Sequence, residues 1–525
     1  MDKHFNTAGP GKPELHYLID PLSRVDLDEI ESLIGQQRYF VLHAPRQTGK
    51  TSCLLALRDH FNADGRYAAL YVNVEPAQAA RNDVARAMQP IVAELAQQSA
   101  RVLDCPVLEQ QRGELLARGG DEALRAAIRL LSESVDKPLI LFLDEVDALI
   151  GDTLISVLRQ IRAGYTDRPR YFPQTIVLCG VRDVRDYRLT RPDGEVITGG
   201  SAFNIKAESI RLGDFSRSEM EALYAQHTAA TGQRFTPEAI ELAWTSTQGQ
   251  PWLVNALAEQ AVWKIRPNRD RSVLIDEDKL REAREALILR NDTHLDQLTD
   301  KLREERVRRV IEPMLVGGEH EGSEADVQYV LDLGLIRRQL PGKNLAPANA
   351  IYAEVLPRVL NSVAQGNMHD ERIRPSWLDA DGKLAPRQFL LNFLDFWREH
   401  GEVMMGTVPY HEAAPHLVLM AYLQRVVNGS GRIEREYAAG SGRLDLLVVH
   451  DESRMAIEVK RWRTGRPDPL AERLEQIERY LARLGLPDGY LVIFDQRADA
   501  PVWEQRMQVS EAQTASGRPV TVLRG

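Results

Sequence analysis

Short apolar runs alternate with longer amphipathic segments over residues 1–205 of the chain. The apolar runs predict strands near 39–43, 67–75, 137–145 and 175–179. The amphipathic segments predict helices near 26–35, 53–61 and 148–161, and a long helical region over 82–134 that breaks at Cys105. Because a fully apolar strand must be covered on both faces, this alternation predicts an α/β fold with a parallel sheet between helices. Ligands of such sheets bind at the carboxyl ends of the strands.

The hydrophobic pattern divides the rest of the chain into four further segments. Residues 206–290 are helical, with a capping box at Ser216 and Glu219 and a helix start at Thr236-Pro237. Residues 291–365 have the helix–helix–hairpin–helix order of a winged helix, and 366–395, with Pro375, Gly382 and Pro386, predict a linker. Residues 396–525 alternate strands with helices, which predicts a second α/β domain. The arginines of the predicted hairpin suit phosphate contacts, but a plain protein–protein spacer fits equally well.

Composition limits the classes of function open to the chain. The 525 residues carry 66 basic and 76 acidic side chains, a net charge of −10, which argues against a non-specific basic coat for nucleic acid. The three cysteines allow no disulfide framework and favour a reducing cytoplasm. The polar N-terminus has no apolar targeting core, and no run is long enough to span a bilayer, so no membrane role is expected.

A glycine-containing loop joins the first apolar strand to the helix that follows it. Strand, loop and helix have the order that a phosphate-binding P-loop needs, with loop amides and the helix start directed at phosphates. Lysine would reach the β- and γ-phosphates and threonine would bind Mg²⁺. The usual first glycine is alanine here, which has poor access to positive φ; the alternative is a chance Gly-Lys-Thr turn. The loop residues are Ala44, Pro45, Arg46, Gln47, Thr48, Gly49, Lys50, Thr51 and Ser52.

Two acids end the strand near 137–145, at the sheet edge where the P-loop is expected. Asp144 would hold the Mg²⁺ water shell, and Glu145 would orient and polarise the attacking water. The alternative is that the Asp-Glu pair only caps the following helix. Arg182 or Asp183 could sense phosphate at the end of the next strand. Any of several nearby arginines could serve as an arginine finger, and the sequence does not choose among them.

These motifs resemble the AAA-like ATPases of the STAND and archaeal-ATPase type. The resemblance covers roughly the first 270 residues and rests on the P-loop, the acid pair and the Gly249-Gln250-Pro251 turn. It implies that residues 206–290 form a helical lid and that Pro251 touches bound nucleotide from the lid. The P-loop and acid motifs are specific to NTPases in general, whereas the lid carries the assignment to this group.

A second set of polar residues interrupts apolar strands near the C-terminus. Strand alternation places Met455, Ile457 and Val459 on one face, and Glu458 and Lys460 on the other. A Glu and a Lys on a buried strand cost several kcal/mol unless something compensates them. Asp445 interrupts the preceding strand in the same way, and acids on adjacent strands are what a divalent-metal site requires.

This pattern resembles the PD-(D/E)XK, or restriction-endonuclease-like, nucleases. The resemblance implies that Asp445 and Glu458 bind Mg²⁺ or Mn²⁺ and that Lys460 positions or deprotonates the attacking water. Glu412 matches an additional acid of the family, and Gln476 and Tyr480 match a Q-x-x-x-Y motif that contacts DNA and the site. The usual proline before the first acid is absent, since Leu444 stands there. The alternatives are a surface Glu-x-Lys ion pair, or an intact fold that binds DNA without cutting it.

Together the two resemblances predict an ATPase with a helical lid and a winged helix, fused to a nuclease-like domain. The expected cofactors are ATP and Mg²⁺, with Mn²⁺ as an option at the second site. The expected partner is DNA, and homo-oligomerisation is left open. We expect the nucleotide state to control a metal-dependent nuclease, in defence or DNA processing. The alternative is an ATP-dependent switch or scaffold whose C-terminal domain binds DNA or a partner without cleavage.

Overall fold

The fold is taken from a computed structural model, which divides the chain into two compact units. The first unit comprises Met1–His294, Glu324–Arg338 and Pro347–Ile351, and the second comprises Leu295–Ser323, Gln339–Ala346 and Tyr352–Gly525. The structure describes residues 3–181, 188–190, 196–198, 206–290, 301–302, 304–315, 322–339, 345–356, 384–407, 419, 422–423, 431–439, 442–450, 453–462, 464–497 and 499–525.

A five-stranded parallel sheet forms the centre of the first unit, in the order β2-β3-β4-β1-β7. The strands are β1 (Tyr39–His43), β2 (Ala68–Asn73), β3 (Leu139–Asp144), β4 (Thr175–Gly180) and β7 (Lys206–Arg211), while β5 (Arg188–Thr190) and β6 (Val196–Thr198) pair separately. All six residues of β3 and of β4 are buried, as apolar strands covered on both faces require. The predicted parallel α/β fold is therefore confirmed.

Helices cover both faces of this sheet. They are α1 (Leu27–Gly35), α2 (Lys50–Asp64), α3 (Val84–Leu103), α4 (Val107–Ala117), α5 (Ala123–Ser134) and α6 (Gly151–Ala163). One core contains Val41, Leu70 and Leu141, and the other contains Phe40, Ala69 and Ile140, so successive strand residues alternate between the two faces. The helix predicted over 148–161 starts later, because Val146–Ala148 forms a 3₁₀ turn first.

The segment after the sheet is helical, as the pattern predicted. It contains α7 (Arg217–Thr231), α8 (Pro237–Thr247), α9 (Pro251–Glu259) and α10 (Glu277–Arg290). The capping box at Ser216 and Glu219 is confirmed, and Thr236 caps α8 with proline at the first helical position. The N-terminal segment packs here, since Tyr17 lies among the rings of Phe5 and His227.

The second unit contains a six-stranded mixed sheet, in the order β10-β11-β12-β13-β15-β14. The strands are β10 (Gly431–Ala439), β11 (Gly442–His450), β12 (Ser453–Trp462), β13 (Gly489–Asp495), β14 (Gln508–Gln513) and β15 (Pro519–Arg524). Helix α13 (Pro386–Thr407) packs on one face through Phe389 and Leu390, and helix α14 (Leu470–Leu484) packs on the other through Ile477 and Leu481. A short helix, α15 (Trp503–Arg506), precedes β14.

The structure moves one predicted boundary. Helix α13 starts at Pro386, inside the predicted linker 366–395, because Phe389, Leu390 and Phe393 are buried in the core of the second unit. The linker was predicted partly from Pro386, but this proline stands at the start of a helix, where proline is tolerated.

Part of the predicted winged helix is described. Helices α11 (Glu305–Leu315) and α12 (Glu324–Asp332) and two short strands, β8 (Ile336–Arg338) and β9 (Leu345–Pro347), are present. The turn predicted between the strands lies outside the described residues, and the winged helix remains a prediction. Within the described part of the chain, no helix is long and apolar enough to cross a membrane.

Candidate functional site

The phosphate loop, residues 44–52, joins the end of β1 to the start of α2. Its turn is made by Gln47 at φ 59° and Gly49 at φ 89°, and α2 begins at Lys50. Ala44 is not among the residues with positive φ; its amide donates to the Gly180 carbonyl at 3.2 Å and its side chain is fully buried. The loop therefore does not need the conformational freedom of glycine at Ala44, and the sequence-based concern about this position was wrong.

Lys50, at the end of the loop, is hydrogen-bonded to carbonyls at the start of the loop. Its Nζ donates to the carbonyl of Ala44 at 2.9 Å and to that of Pro45 at 3.0 Å. The Thr48 hydroxyl donates to the Pro45 carbonyl at 2.8 Å, and Thr48 is fully buried. The ammonium group thus lies at the carboxyl end of β1, beside the first turn of α2, where an anion would be attracted by both the lysine and the helix dipole.

Asp144 brings the acid pair to the phosphate loop. Its Oδ2 accepts from the Thr51 hydroxyl at 2.8 Å and from the Tyr71 hydroxyl at 2.9 Å, while Oδ1 accepts from the Glu145 amide at 2.9 Å. The carboxylate is fully buried. Burial, together with the charge of Asp144, raises the pKa of Tyr71, so this phenol stays a neutral donor. The predicted convergence of Thr51 and Asp144 is present as a direct contact.

Glu145 turns the chain away from the sheet. It adopts φ 59° and ψ 38°, a left-handed conformation that is uncommon for glutamate. Burial raises the pKa of Glu145, and the charges of Asp147 and Asp144 raise it further. Asp147 also accepts from the Val181 amide at 3.0 Å, so the end of β4 is tied to the acid turn. The sensor candidates Arg182 and Asp183 lie outside the described residues.

Arg24 braces the loop from the other side. Its guanidinium donates to the carbonyls of Thr48 and Gly213 and lies over the Phe215 ring, 4.8 Å from the centroid. A Cβ at Gly49 would lie 2.8 Å from Arg24 Nη1. Gly213 and Phe215 follow β7 and precede α7, so one side chain joins the phosphate loop to the junction between the sheet and the helical segment that begins at Arg217.

The other predicted loop and lid residues are placed around this centre. Ser52 Oγ accepts from the Gly11 amide at 3.0 Å, which ties the N-terminal segment to α2, and Arg46 is exposed. Pro251 is buried at the start of α9. Gly249 has φ 80°, and a Cβ there would lie 2.0 Å from the Phe215 carbonyl oxygen, so only glycine fits. Contact of Pro251 with nucleotide remains a prediction.

The residues of this site fit a nucleoside triphosphate with Mg²⁺. A hydroxyl and a carboxylate that suit Mg²⁺ already touch, and hard oxygen ligands of this kind are what Mg²⁺ takes from proteins. The lysine, loop amides and helix start supply positive potential beside them. Phosphate oxygens could take the place of the two loop carbonyls as partners of Lys50.

The second unit holds the predicted Glu-x-Lys pair on β12. Glu458 is fully buried, and Lys460 Nζ lies 3.1 Å from its Oε1. Met455, Ile457 and Val459 belong to the core beneath α13, while Ala456 belongs to the core beneath α14. Alternation puts Glu458 on the face of Ala456, as predicted. A buried carboxylate needs a cation, and the lysine supplies one.

Strand register places the first acid beside this pair. Leu446 of β11 lies opposite Ile457 of β12, so Asp445 and Glu458 occupy the next facing positions of the two strands. The side chain of Asp445 and all of Glu412 lie outside the part of the chain that the structure describes. Among the described residues, no three His, Cys, Asp or Glu side chains form a group that could hold a metal. Metal binding by Asp445 and Glu458 therefore remains a prediction.

Gln476 and Tyr480 lie on α14 and touch each other. Gln476 Nε2 donates to the Tyr480 hydroxyl at 2.9 Å, and Arg473 donates to Gln476 Oε1. Tyr480 is buried in the core that also contains Ala456 and Leu491. The helix face that carries the predicted motif thus packs on the sheet face that carries Glu458.

Three residues that form hydrogen bonds with predicted site residues were not predicted from the sequence. Tyr71 binds Asp144 because β2 and β3 are neighbours, and strand order is not readable from one sequence. Arg24 lies far from the loop in sequence, and no spacing rule connects them. Arg473 carried a signal, since it lies three residues before Gln476 on a predicted helix, where side chains meet.

Comparisons with known proteins give low-similarity matches of fold. No protein-family model matches the chain, and a search of curated proteins finds no match. Among solved structures, the Walker-type ATPase PABY2304 of Pyrococcus abyssi matches at 15% identity with a TM-score of 0.45, covering 67% of this chain and 99% of its own.

Two further solved structures show the same level of similarity. Cdc6p from Pyrobaculum aerophilum matches at 16% identity with a TM-score of 0.36, covering 68% of this chain and 96% of its own. The RuvB Holliday junction branch migration motor of Thermotoga maritima matches at 14% identity with a TM-score of 0.32, covering 62% and 90%. Because all three TM-scores lie below 0.5, nothing about the function of this chain is taken from these matches.

Proposed function

We propose that the first unit binds and hydrolyses ATP with Mg²⁺ at the phosphate loop. The contact between Thr51 Oγ1 and Asp144 Oδ2, at 2.8 Å, carries this proposal. It joins the first turn of α2 to the end of β3, and Thr51 and Asp144 are the residues that would hold Mg²⁺ there. Lys50 neutralises phosphate charge, and Glu145 orients the attacking water.

The raised pKa of Glu145 suits this role. Burial and the neighbouring acids disfavour its charged form, so the carboxylate is a stronger base than an exposed glutamate. Its peptide amide donates to Asp144 Oδ1 at 2.9 Å, which keeps the two acids in fixed relation. Asp144 is thereby the metal-side acid and Glu145 the water-side acid.

Binding of a fluorescent ATP analogue to the intact protein tests this proposal. Lys50→Ala should weaken binding in the presence of Mg²⁺ by about 10- to 100-fold, since hydrogen bonds to charged groups contribute about 1.5–3 kcal/mol. Lys137→Ala is the matched control, because Lys137 is exposed and remote from the loop. Equal affinity of Lys50→Ala and Lys137→Ala would refute nucleotide binding at this loop.

We further propose that the second unit is a metal-dependent DNA phosphodiesterase under the control of the nucleotide state. The burial of Glu458 beside Lys460, opposite the backbone position of Asp445, supports it. A purely structural ion pair gains little from full burial, because desolvation of two charges offsets their attraction. Asp445 and Glu458 would hold Mg²⁺ or Mn²⁺, and Lys460 would position the attacking water.

Cleavage of single- and double-stranded DNA and RNA tests the second proposal. Lys460→Ala should abolish metal-dependent cutting, whereas Arg454→Ala, an exposed change on the same strand, should not. Equal cutting by the wild type and Lys460→Ala would refute the nuclease. Binding of DNA without any cutting, together with oligomerisation that depends on ATP and is lost in Lys50→Ala, would instead support a switch or scaffold.

A further inference from the structure

A basic and aromatic surface lies on the first unit, in the segment that follows α9. One turn of π-helix, Gln260–Lys264, extends α9 and leads into a loop that runs to Ile275. This segment carries four basic side chains and one acid, Asp270, in a chain whose net charge is −10. Together with one tryptophan, the basic residues form what we call the Trp263 surface: Trp263, Lys264, Arg266, Arg269 and Arg271.

Trp263 is the aromatic member of this surface, and it is 45% exposed. Leu257 and Ala261 are buried along one side of the helix, and Trp263 falls outside that row. The guanidinium of Arg269 lies over its ring, 4.5 Å from the centroid, and that of Arg271 lies at 6.0 Å. Cation–π attraction therefore holds the indole in place, while nearly half of the residue stays open to solvent.

The positive charges of the Trp263 surface are not neutralised by ion pairs. Among the described residues, none of the four basic side chains forms a salt bridge. Arg269 Nε donates to the Trp263 carbonyl at 2.7 Å, and Arg271 Nη1 donates to Gln233 Oε1 at 2.9 Å. Both acceptors are neutral, so the surface keeps its charge.

Two acids lie close to this surface, and neither pairs with it. Asp270 accepts from the Ser272 amide at 3.0 Å and from the Ser272 hydroxyl at 2.8 Å. The charges of Lys264 and Arg271 act on Glu259, but in the described part of the chain no salt bridge joins it to either. The basic groups thus remain available to an anionic ligand.

Buried amides fix the loop that carries the arginines. Gln233 is buried, and its Nε2 donates to the carbonyls of Asn268 at 2.8 Å and Val273 at 3.1 Å. Asn268 is also buried, and its Nδ2 donates to the Ala261 carbonyl at 2.9 Å. Because the loop backbone is already ordered, a ligand binds there without the cost of ordering it.

We propose that the Trp263 surface binds a single strand of nucleic acid. Trp263 stacks on an unpaired base, and the basic side chains contact the backbone phosphates. The planar fork of a guanidinium suits phosphate oxygens, and three of the four basic residues are arginines. A duplex keeps its bases stacked on one another, so it cannot use the indole. The binding site includes neither the phosphate loop nor the second unit, so the proposal holds whether or not the second unit cuts nucleic acid.

A simpler role for these residues is to stabilise the loop. Arg269 and Arg271 both bind neighbouring groups of the loop or of Gln233, and this role accounts for them. It does not account for Lys264 and Arg266, whose side chains are exposed and form no hydrogen bond or salt bridge within the described residues. An exposed indole beside unpaired cations is what a stacking site for nucleic acid requires.

Fluorescence polarisation of labelled oligonucleotides with the intact protein tests the proposal, with EDTA present to prevent cleavage. Oligothymidine DNA and oligouridine RNA should bind more tightly than a DNA duplex of equal length. Trp263→Ala should weaken single-strand binding by about tenfold, the loss of one base stack, and Trp263→Phe should lose less. Tyr171→Ala is the matched control, because Tyr171 is 40% exposed beside Arg129, which pairs with Glu133.

The salt dependence of binding separates stacking from phosphate contacts. For single strands, each neutralised phosphate contributes about −0.7 to the slope of log K against log salt concentration. Arg266→Ala should therefore make the slope shallower by about 0.7, whereas Trp263→Ala should leave it unchanged because it removes no charge. Arg112→Ala, at an exposed position of α4, should change neither the slope nor the affinity.

The proposal would be overturned if the wild type bound no single strand. It would also be overturned if Trp263→Ala and Arg266→Ala bound single strands as tightly as Tyr171→Ala does. Binding to phosphatidylserine vesicles that is lost in Trp263→Ala, without binding to any oligonucleotide, would instead assign the surface to an anionic membrane. Thermal unfolding checks each variant, and if Trp263→Ala does not fold, the salt slope of Arg266→Ala decides.

Discussion

Replacement of Gly49 by alanine should destabilise the first unit by more than its backbone conformation alone explains. Gly49 has φ 89°, and an added Cβ would lie 2.8 Å from Nη1 of Arg24. That guanidinium donates to the carbonyls of Thr48 and Gly213. Alanine at Gly49 therefore incurs backbone strain and also displaces the Arg24 guanidinium, which connects the phosphate loop to the segment before α7.

The same helix provides a control for the cost of placing alanine in a left-handed backbone conformation. Gly65 ends α2 at φ 79°, and an added Cβ there would meet only Lys137 Nζ, at 4.0 Å. Gly65→Ala should cost about 1–2 kcal/mol in free energy of unfolding, the usual cost of the left-handed region for alanine. Gly49→Ala should cost about 1.5–3 kcal/mol more, the range for hydrogen bonds from a charged donor.

Equilibrium urea unfolding of the intact protein measures both costs, with hydrogen exchange of α2 peptides to assign the transition to the first unit. Replacing Arg24 by alanine removes the obstacle, so in that background Gly49→Ala should cost no more than Gly65→Ala. This role of Arg24 would be refuted if Gly49→Ala and Gly65→Ala lowered the free energy of unfolding of the wild type equally. It would also be refuted if Gly49→Ala cost as much in the Arg24→Ala background as in the wild type.

Three other changes test the account at separate points. Ala44→Gly should lower the free energy of unfolding by about 0.5–1 kcal/mol without improving ATP affinity, because Ala44 is buried and has no positive φ; tighter ATP binding would contradict this. Burial lowers the pKa of His227, so the first unit should lose stability as pH falls through about 6.5, where the unfolded chain binds a proton that the folded unit does not, and thermal unfolding of His227→Phe should lack this loss. Glu458→Gln should raise the unfolding temperature of metal-free protein while abolishing cleavage, because it removes the fully buried charge, whereas the side chain of Lys460 is 23% exposed and can turn to water; a large loss of stability would indicate a structural ion pair.

Much of the first site was predictable because its parts are local in sequence. An apolar strand, a loop with Gly49 and a helix that starts at Lys50 follow one another, and parallel sheets place Asp144 at the same edge. The contact between Thr51 and Asp144 follows from those two facts. The role of Ala44 did not follow, since φ depends on how the loop leaves the strand, which one residue type does not determine.

Contacts from remote segments were not predictable in the same way. Arg24 and Tyr71 reach the site through strand order and through the path of the N-terminal segment, and both are set by packing of the whole unit. On β12, by contrast, alternation alone assigned Glu458 and Ile457 to opposite faces, because a strand has a period of two. Local periodicity is thus readable from sequence, whereas long-range order is not.

Cleavage of DNA by the intact protein, with Mg²⁺ and with or without ATP, tests the central proposal most directly. The wild type should cut at rates that differ severalfold between the two conditions, Lys50→Ala should cut at one rate in both, and Lys460→Ala should not cut in either. Wild-type cutting that is indifferent to ATP, or that survives in Lys460→Ala, would contradict a nucleotide-controlled nuclease.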